Sequence, residues 1–252
     1  MIQILDSNAA LAALSWQIDL GADEAIGDVP VNRYDIPAKI PAPAVVTEIV
    51  ADFAAEDTET LAASCTTLDQ LNAAMAAFDG CALKLGAKNT VFADGNRQTR
   101  VMVIGEAPGR EEDIEGKPFV GRSGQLLDRM LASIGLSRHA SNRADAVYIT
   151  NVLPWRPPQN RDPSSDEIAL MKPFLLRNIE LIAPEFLLVL GNTAAKTLLQ
   201  TETGITRLRG EWHQVLGIPA LPSFHPAALL RNPAQKKAAW ADLLALRVKL
   251  DG

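Results

Sequence analysis

"VMVIGEAPGREEDIEGKPFVGRSG", residues 101–124, is the stretch on which the fold turns. It opens as an unbroken apolar run, stops at Gly105, and bends at once through a carboxylate, Glu106, and a Pro108-Gly109 pair. An apolar run of that length bounded by turn residues reads as a strand buried on both faces. Three more runs have the same form: "AVYITNV" (146–152), "FLLVLG" (186–191) and "IPALPSF" (218–224). Helical patterns occupy 123–135, 164–183, 192–200 and 233–250, and the second opens with a Ser164-x-x-Glu167 capping box. Strands buried on both faces and alternating with helices imply a parallel sheet covered on either side. The expected fold is therefore α/β: a three-layer α/β/α domain around a central, mainly parallel four-stranded sheet, with an N-terminal helical extension.

Upstream the text changes. Residues 7–20, "SNAALAALSWQIDL", read as a short amphipathic helix with Ser7 as its N-cap, and four prolines make 28–44 an extended connector. Alanine-rich helical text follows over roughly 45–77. The expected division is an acidic, partly Pro-rich extension over 1–60 and a main domain over 61–252. Charge follows the same division. The net −6 combines a balance of −8 over residues 1–100 with +2 over 101–252, so a mildly basic C-terminal part remains suited to a phosphate backbone. No apolar run approaches the ~20 residues of a membrane span. The first residues lack a basic start and a cleavage site, and two cysteines are too few for a disulfide framework. These features lead to the expectation of a cytoplasmic protein with no membrane partner.

In a parallel sheet of this kind ligands bind beyond the carboxyl ends of the strands. The residues at those ends are Glu106, Asn151, Gly191 with Asn192, and His225. A carboxylate, an amide and an imidazole are thus expected in one crevice, although each alone has an ordinary reading as a turn or cap residue. The first loop is a poor phosphate cradle. It has neither the G-x-G-x-x-G of a dinucleotide site nor the Lys-Ser/Thr pair of a P-loop, and Glu106 would repel a phosphate held there. Metal binding has no support either, because His139, His213 and His225 are scattered and no ligand cluster has the required spacing.

The motifs "GEAPGREED" (105–113), "GKPFVGRSGQLLDRML" (116–131), "YITNV" (148–152), "RPPQNRDP" (156–163), "LVLGNTAAKTLL" (188–199), "LRG" (208–210) and "HPAALLRNP" (225–233) together resemble the ordered motifs of family 4 uracil-DNA glycosylases. The resemblance runs from about Cys81 to the C-terminus and leaves most of residues 1–77 outside it. It implies an enzyme of base excision repair that flips uracil out of DNA and hydrolyses its N-glycosidic bond, working as a monomer on uracil-containing DNA. By the same resemblance, Asn151 reads the uracil edge, accepting from N3–H and donating to O4. Phe119 stacks on the flipped ring, and the backbone at Ala107 and Gly109 faces the base. His225 donates to O2 as negative charge develops there, and Glu106 stabilises the cationic sugar and orients the attacking water. Ser123, Gly124 and Gln125, at a helix N-terminus, meet a DNA phosphate. Leu229, Leu230 or Arg231 fills the gap left by the flipped base.

The sequence departs from that family at one place. The positions of its four cluster-holding cysteines fall at Phe78, Cys81, Trp155 and Met171. One thiolate does not hold an iron–sulfur cluster, so no cofactor is expected and three large apolar side chains would fill the corner by packing. No basic insertion precedes His225, so turnover rather than a covalent attachment of that histidine to DNA is expected. The competing reading is a non-catalytic binder of uracil-containing or abasic DNA, in which Glu106 is structural only.

Overall fold

In the computed structural model the described residues are 55–252. The expected helix over 7–20 and the connector over 28–44 lie outside them. Two helices come first, α1 (Ala55–Ser64) and α2 (Leu68–Ala77), followed by a single turn, α3 (Leu83–Gly86). Strands β1 (Ala93–Gly95) and β2 (Val101–Gly105) precede helices α4 (Arg110–Glu115) and α5 (Arg122–Ala132). Strand β3 (Val147–Asn151) leads to the long helix α6 (Ser165–Ile182), then β4 (Phe186–Leu190), α7 (Asn192–Leu199) and the turn α8 (Ile205–Leu208). Strands β5 (His213–Val215) and β6 (Ile218–Ser223), the short helix α9 (Pro226–Arg231) and α10 (Lys236–Asp251) complete the domain.

The strands form one sheet in the order β1-β3-β2-β4-β6-β5. Its centre, β3-β2-β4-β6, is parallel and consists of the four runs expected from the sequence. Two edge strands that the sequence reading lacked, β1 and β5, pair antiparallel and enlarge the sheet to six strands. Each has three residues, "ADG" and "HQV", too short and too polar to stand out as an apolar run.

Alternation along the strands assigns the two faces. Met102, Ile104, Leu187 and Val189 point into a core with α1, α2, α6 and α7, while Val101, Val103, Leu188 and Leu190 point into a second core with α5 and α10. Helices therefore cover both faces of a sheet whose central strands are almost wholly buried. The expected capping box closes α6: Ser164 Oγ accepts the Glu167 amide at 3.2 Å, and Glu167 Oε2 accepts the Ser164 amide at 2.8 Å. The expected boundary at residue 60 falls inside α1, whose Ala62 is buried in the first core. No helix among the described residues is long and apolar enough to cross a membrane.

Candidate active site

The parallel register brings the strand ends together. Gly105 at the end of β2 is paired with Asn151 at the end of β3. A side chain at Gly105 would not fit, because a Cβ there would lie 2.5 Å from Asn151 Oδ1 and 2.5 Å from Phe119 Cζ. The glycine that stops the apolar run thus leaves room for an amide and an aromatic ring. After it the chain is tied across to the neighbouring strand, Val152 N–H donating to Gly105 O and Leu153 N–H to Glu106 O, both at 3.0 Å. The Asn151 amide is nearly buried, at 7 % exposure, and its Oδ1 has no hydrogen-bond donor. A buried acceptor left without a donor costs about 1–3 kcal/mol. Tyr148 Oη, Asn178 Oδ1 and His213 Nε2 also lack a hydrogen-bond partner, and among these four residues Asn151 is the one that lines the crevice.

Glu106 follows β2 and lines a crevice of about 940 Å³. One of its carboxylate oxygens, Oε2, accepts a hydrogen bond from Thr193 Oγ1 in the first turn of α7. The turn before that helix is made by Gly191, which has φ of 91° and would carry a Cβ only 3.1 Å from the Cβ of His225. His225 caps α9, and its Nδ1 accepts the Ala227 amide at 3.2 Å. With Nδ1 occupied as an acceptor, the proton of the neutral ring sits on Nε2. Burial, and secondarily the nearby Arg231 charge, push the His225 pKa down to about 4, so the ring is neutral at physiological pH. The Phe119 ring lies against it, stacked at 5.3 Å between centroids with 30° between planes.

The single crevice is lined by Glu106, Ala107, Gly109, Phe119, Asn151 and His225 together. Ser123, Leu230 and Arg231 line it as well. Three other expected contacts do not. Leu229 is 1 % exposed and points into an apolar pocket between α5, α9 and α10, so it is unavailable to DNA, and only Leu230 and Arg231 of the three face outward. Gly124 is packed under the Phe119 backbone, where an added Cβ would meet Phe119 O at 1.8 Å. Gln125 is exposed outside the crevice, with its amide already given to Gly121 O at 2.9 Å. The sequence reading had not included Thr193, nor the rim arginines Arg110, Arg122 and Arg156. Thr193 has a faint signal, a hydroxyl two positions past the glycine that ends β4. The rim arginines have none, since an arginine at a helix start, as at Arg110 and Arg122, or in a loop, as at Arg156, looks like any other. No group of three or more histidine, cysteine or acidic side chains with metal-binding geometry is present among the described residues.

The family model described as "Uracil DNA glycosylase superfamily" matches residues 92–244, which include every strand end of the crevice. The chain belongs to the uracil DNA glycosylase superfamily. A type-4 uracil-DNA glycosylase of Saccharolobus solfataricus is 41 % identical over 179 residues, covering 68 % of this chain and 80 % of that protein. The type-4 enzyme of Thermotoga maritima is 42 % identical over 156 residues, 60 % of this chain and 77 % of its own. A type-5 uracil-DNA glycosylase of Pyrobaculum aerophilum is more distant, 31 % identical over 149 residues, 55 % of this chain and 66 % of its own.

Proposed function

We propose that this protein is a uracil-DNA glycosylase of base excision repair, and that the crevice receives a uracil nucleotide flipped out of DNA. The observation that carries the reading is the buried Asn151 Oδ1 without a donor, beside a carboxylate and a neutral imidazole. Uracil N3–H supplies the missing donor, and the Asn151 NH₂ then donates to O4. Cytosine presents an acceptor at N3 and an amino group at C4. It therefore leaves both ends of the amide facing their own kind, and a buried mismatch of this type discriminates strongly.

Cleavage follows from the same geometry. The bond between C1′ and N1 breaks heterolytically, and its electron pair leaves with the base, spreading onto O2. His225 Nε2–H donates to O2, and because the ring is neutral it gives up no solvation of its own charge as the anion forms. The oxocarbenium ion left at C1′ is stabilised by the Glu106 carboxylate, which Thr193 holds by one oxygen. Water attacks C1′, its proton is lost to Glu106 or to solvent, and an abasic site with free uracil remains. Leu230 and Arg231, exposed at the end of α9, face the space that the flipped nucleotide vacates. The rim arginines meet the phosphates on either side.

The reading includes no iron–sulfur cluster. Phe78, Cys81, Trp155 and Met171 are each 5 % exposed or less and belong to one apolar core. Burial raises the Cys81 pKa, which favours the protonated thiol over the thiolate a cluster needs. These residues do not fit the cluster, and no step passes through one. The protein acts as a monomer in the cytoplasm.

Strands carrying one uracil, thymine or cytosine at the same position test the proposal. After incubation and alkali, cleavage is expected at uracil alone. Retention of the uracil strand without an alkali-labile site would instead describe a binder.

A further inference from the structure

The stacking residue sits in an unusual backbone conformation. Phe119 has φ of 54°, in the left-handed region that a large aromatic side chain seldom adopts. Such a conformation persists only where the surroundings fix it, and two buried charged side chains hold the backbone of this turn. Arg138, 7 % exposed, donates from Nη1 to Pro118 O and from Nη2 to Phe119 O, both at 2.9 Å. Glu112, 6 % exposed, accepts the Val120 and Gly121 amides at Oε1, both at 3.0 Å. Its other oxygen accepts the Gly109 amide at 3.0 Å.

We propose that Arg138 and Glu112 form a clamp that positions Phe119 for the flipped base. Arg138 takes two carbonyls of the turn, those of Pro118 and Phe119, and Glu112 takes the two amides that follow, those of Val120 and Gly121. The clamp is anchored to the fold. Arg138 Nε donates to Asp128 on α5 at 2.8 Å, and its Nη1 also reaches Asp94 on β1 at 3.2 Å. Gly124 closes the third side by letting α5 approach the Phe119 carbonyl. Glu112 also links two parts of the site, because the same carboxylate holds Gly109 in the Glu106 loop and the turn that carries Phe119. Arg138 does not line the crevice, and Glu112, which does, has both carboxylate oxygens engaged by backbone amides. Both are positioning residues, and their action rests on the proposed function.

The chemistry demands these residue types. Only a guanidinium offers parallel donors to two successive carbonyls, and Arg138→Lys supplies a single point of contact. Only a carboxylate accepts three amides without bringing a donor of its own. Glu112→Gln sets an NH₂ against one of them.

The test is a double-mutant cycle on uracil release, with Arg138→Lys and Glu112→Gln each made alone and with Phe119→Ala. Displacement of a positioning group by about 1 Å costs roughly 100-fold in rate, so each single variant is expected to lose tens- to a hundred-fold in kcat/KM. Inhibition by free uracil is expected to weaken in parallel. In the Phe119→Ala background Arg138→Lys is expected to cost less than threefold, because the ring it positions is gone, and Glu112→Gln to keep only the part of its loss that passes through Gly109 and the Glu106 loop. Leu246→Ala, which opens a cavity under α10 in the same apolar layer, serves as the control for lost stability alone and is expected to keep its uracil inhibition. Full additivity with Phe119→Ala, or a loss matched by the control, would overturn the clamp. Failure of the unmodified protein to release uracil would instead overturn the functional reading beneath it. If Arg138→Lys does not fold, Glu112→Gln alone decides by the same criterion.

Discussion

Asn151 and Trp155 stand four residues apart on one stretch of chain and are treated in opposite ways. Both are buried. Trp155, 1 % exposed, has its one polar atom satisfied, Nε1 donating to Thr90 Oγ1 at 3.1 Å, and its ring lies in the same apolar core as Phe78, Cys81 and Met171. Asn151 keeps an acceptor with no donor at all. Packing and hydrogen bonding are completed at the corner of Phe78, Cys81, Trp155 and Met171, and left incomplete at the strand end where the proposed base binds. The difference separates what this molecule needs in order to fold from what it needs in order to act, within five residues of backbone.

Trp155→Ala should cost about 3–5 kcal/mol, the usual range for emptying a buried aromatic site. Chemical denaturation measures that loss, and uracil release per folded molecule should stay within a few-fold of the original. A fall in rate as large as the fall in stability would mean that the corner and the crevice are one unit. From the other side, Asn151→Leu removes the unpaired acceptor and keeps the volume. Stability should hold or rise by as much as about 1–3 kcal/mol, the desolvation cost of the lost polar group, while activity on uracil collapses. Destabilisation by Asn151→Leu would show that the amide is structural.

How much of this contrast was legible in the text depends on whether a feature is local. The four central strands and the capping box of α6 were, because an apolar run between turn residues and a Ser-x-x-Glu spacing are properties of a few neighbouring residues. Asn151, Glu106 and His225 were legible for a related reason: the strand ends locate them, and a parallel sheet brings its strand ends together. The edge strands β1 and β5 were not, since three-residue strands acquire their form from the strand they pair with. Arg138 reads as one more polar loop residue until the fold places its guanidinium on the Phe119 turn. The choice between Leu229 and Leu230 turns on the rotational phase of a six-residue helix, which a Leu-Leu pair does not reveal.

The protonation state of His225 gives a smaller effect. Its folded pKa, about 4, lies below the ordinary value of 6.5. The native state therefore binds fewer protons than the unfolded chain between those values. The stability that the neutral ring contributes is complete above about pH 6.5 and is lost as pH falls through about 4. For activity, kcat/KM should show no inflection near pH 6.5 from this residue and should fall only toward pH 4. An inflection near 6.5 that disappears in His225→Gln would contradict the neutral-donor role. Smallest of all, Arg231→Gln removes the secondary cause of the shift and should raise that acidic limb by a few tenths of a pH unit. Arg122→Gln, which removes a rim arginine, should lower the salt dependence of DNA binding by about one phosphate contact.

The most direct test of the central claim is the number of uracil bases released per protein molecule from an excess of single-uracil DNA. It is made on iron-free protein, with Glu106→Ala and His225→Ala measured beside it. The account predicts many turnovers for the unmodified chain. It predicts losses of about 100-fold or more in both variants, the scale for removing an electrostatic or general-base group from such a site. DNA bound without release of base, or one covalent adduct per protein molecule, would contradict it.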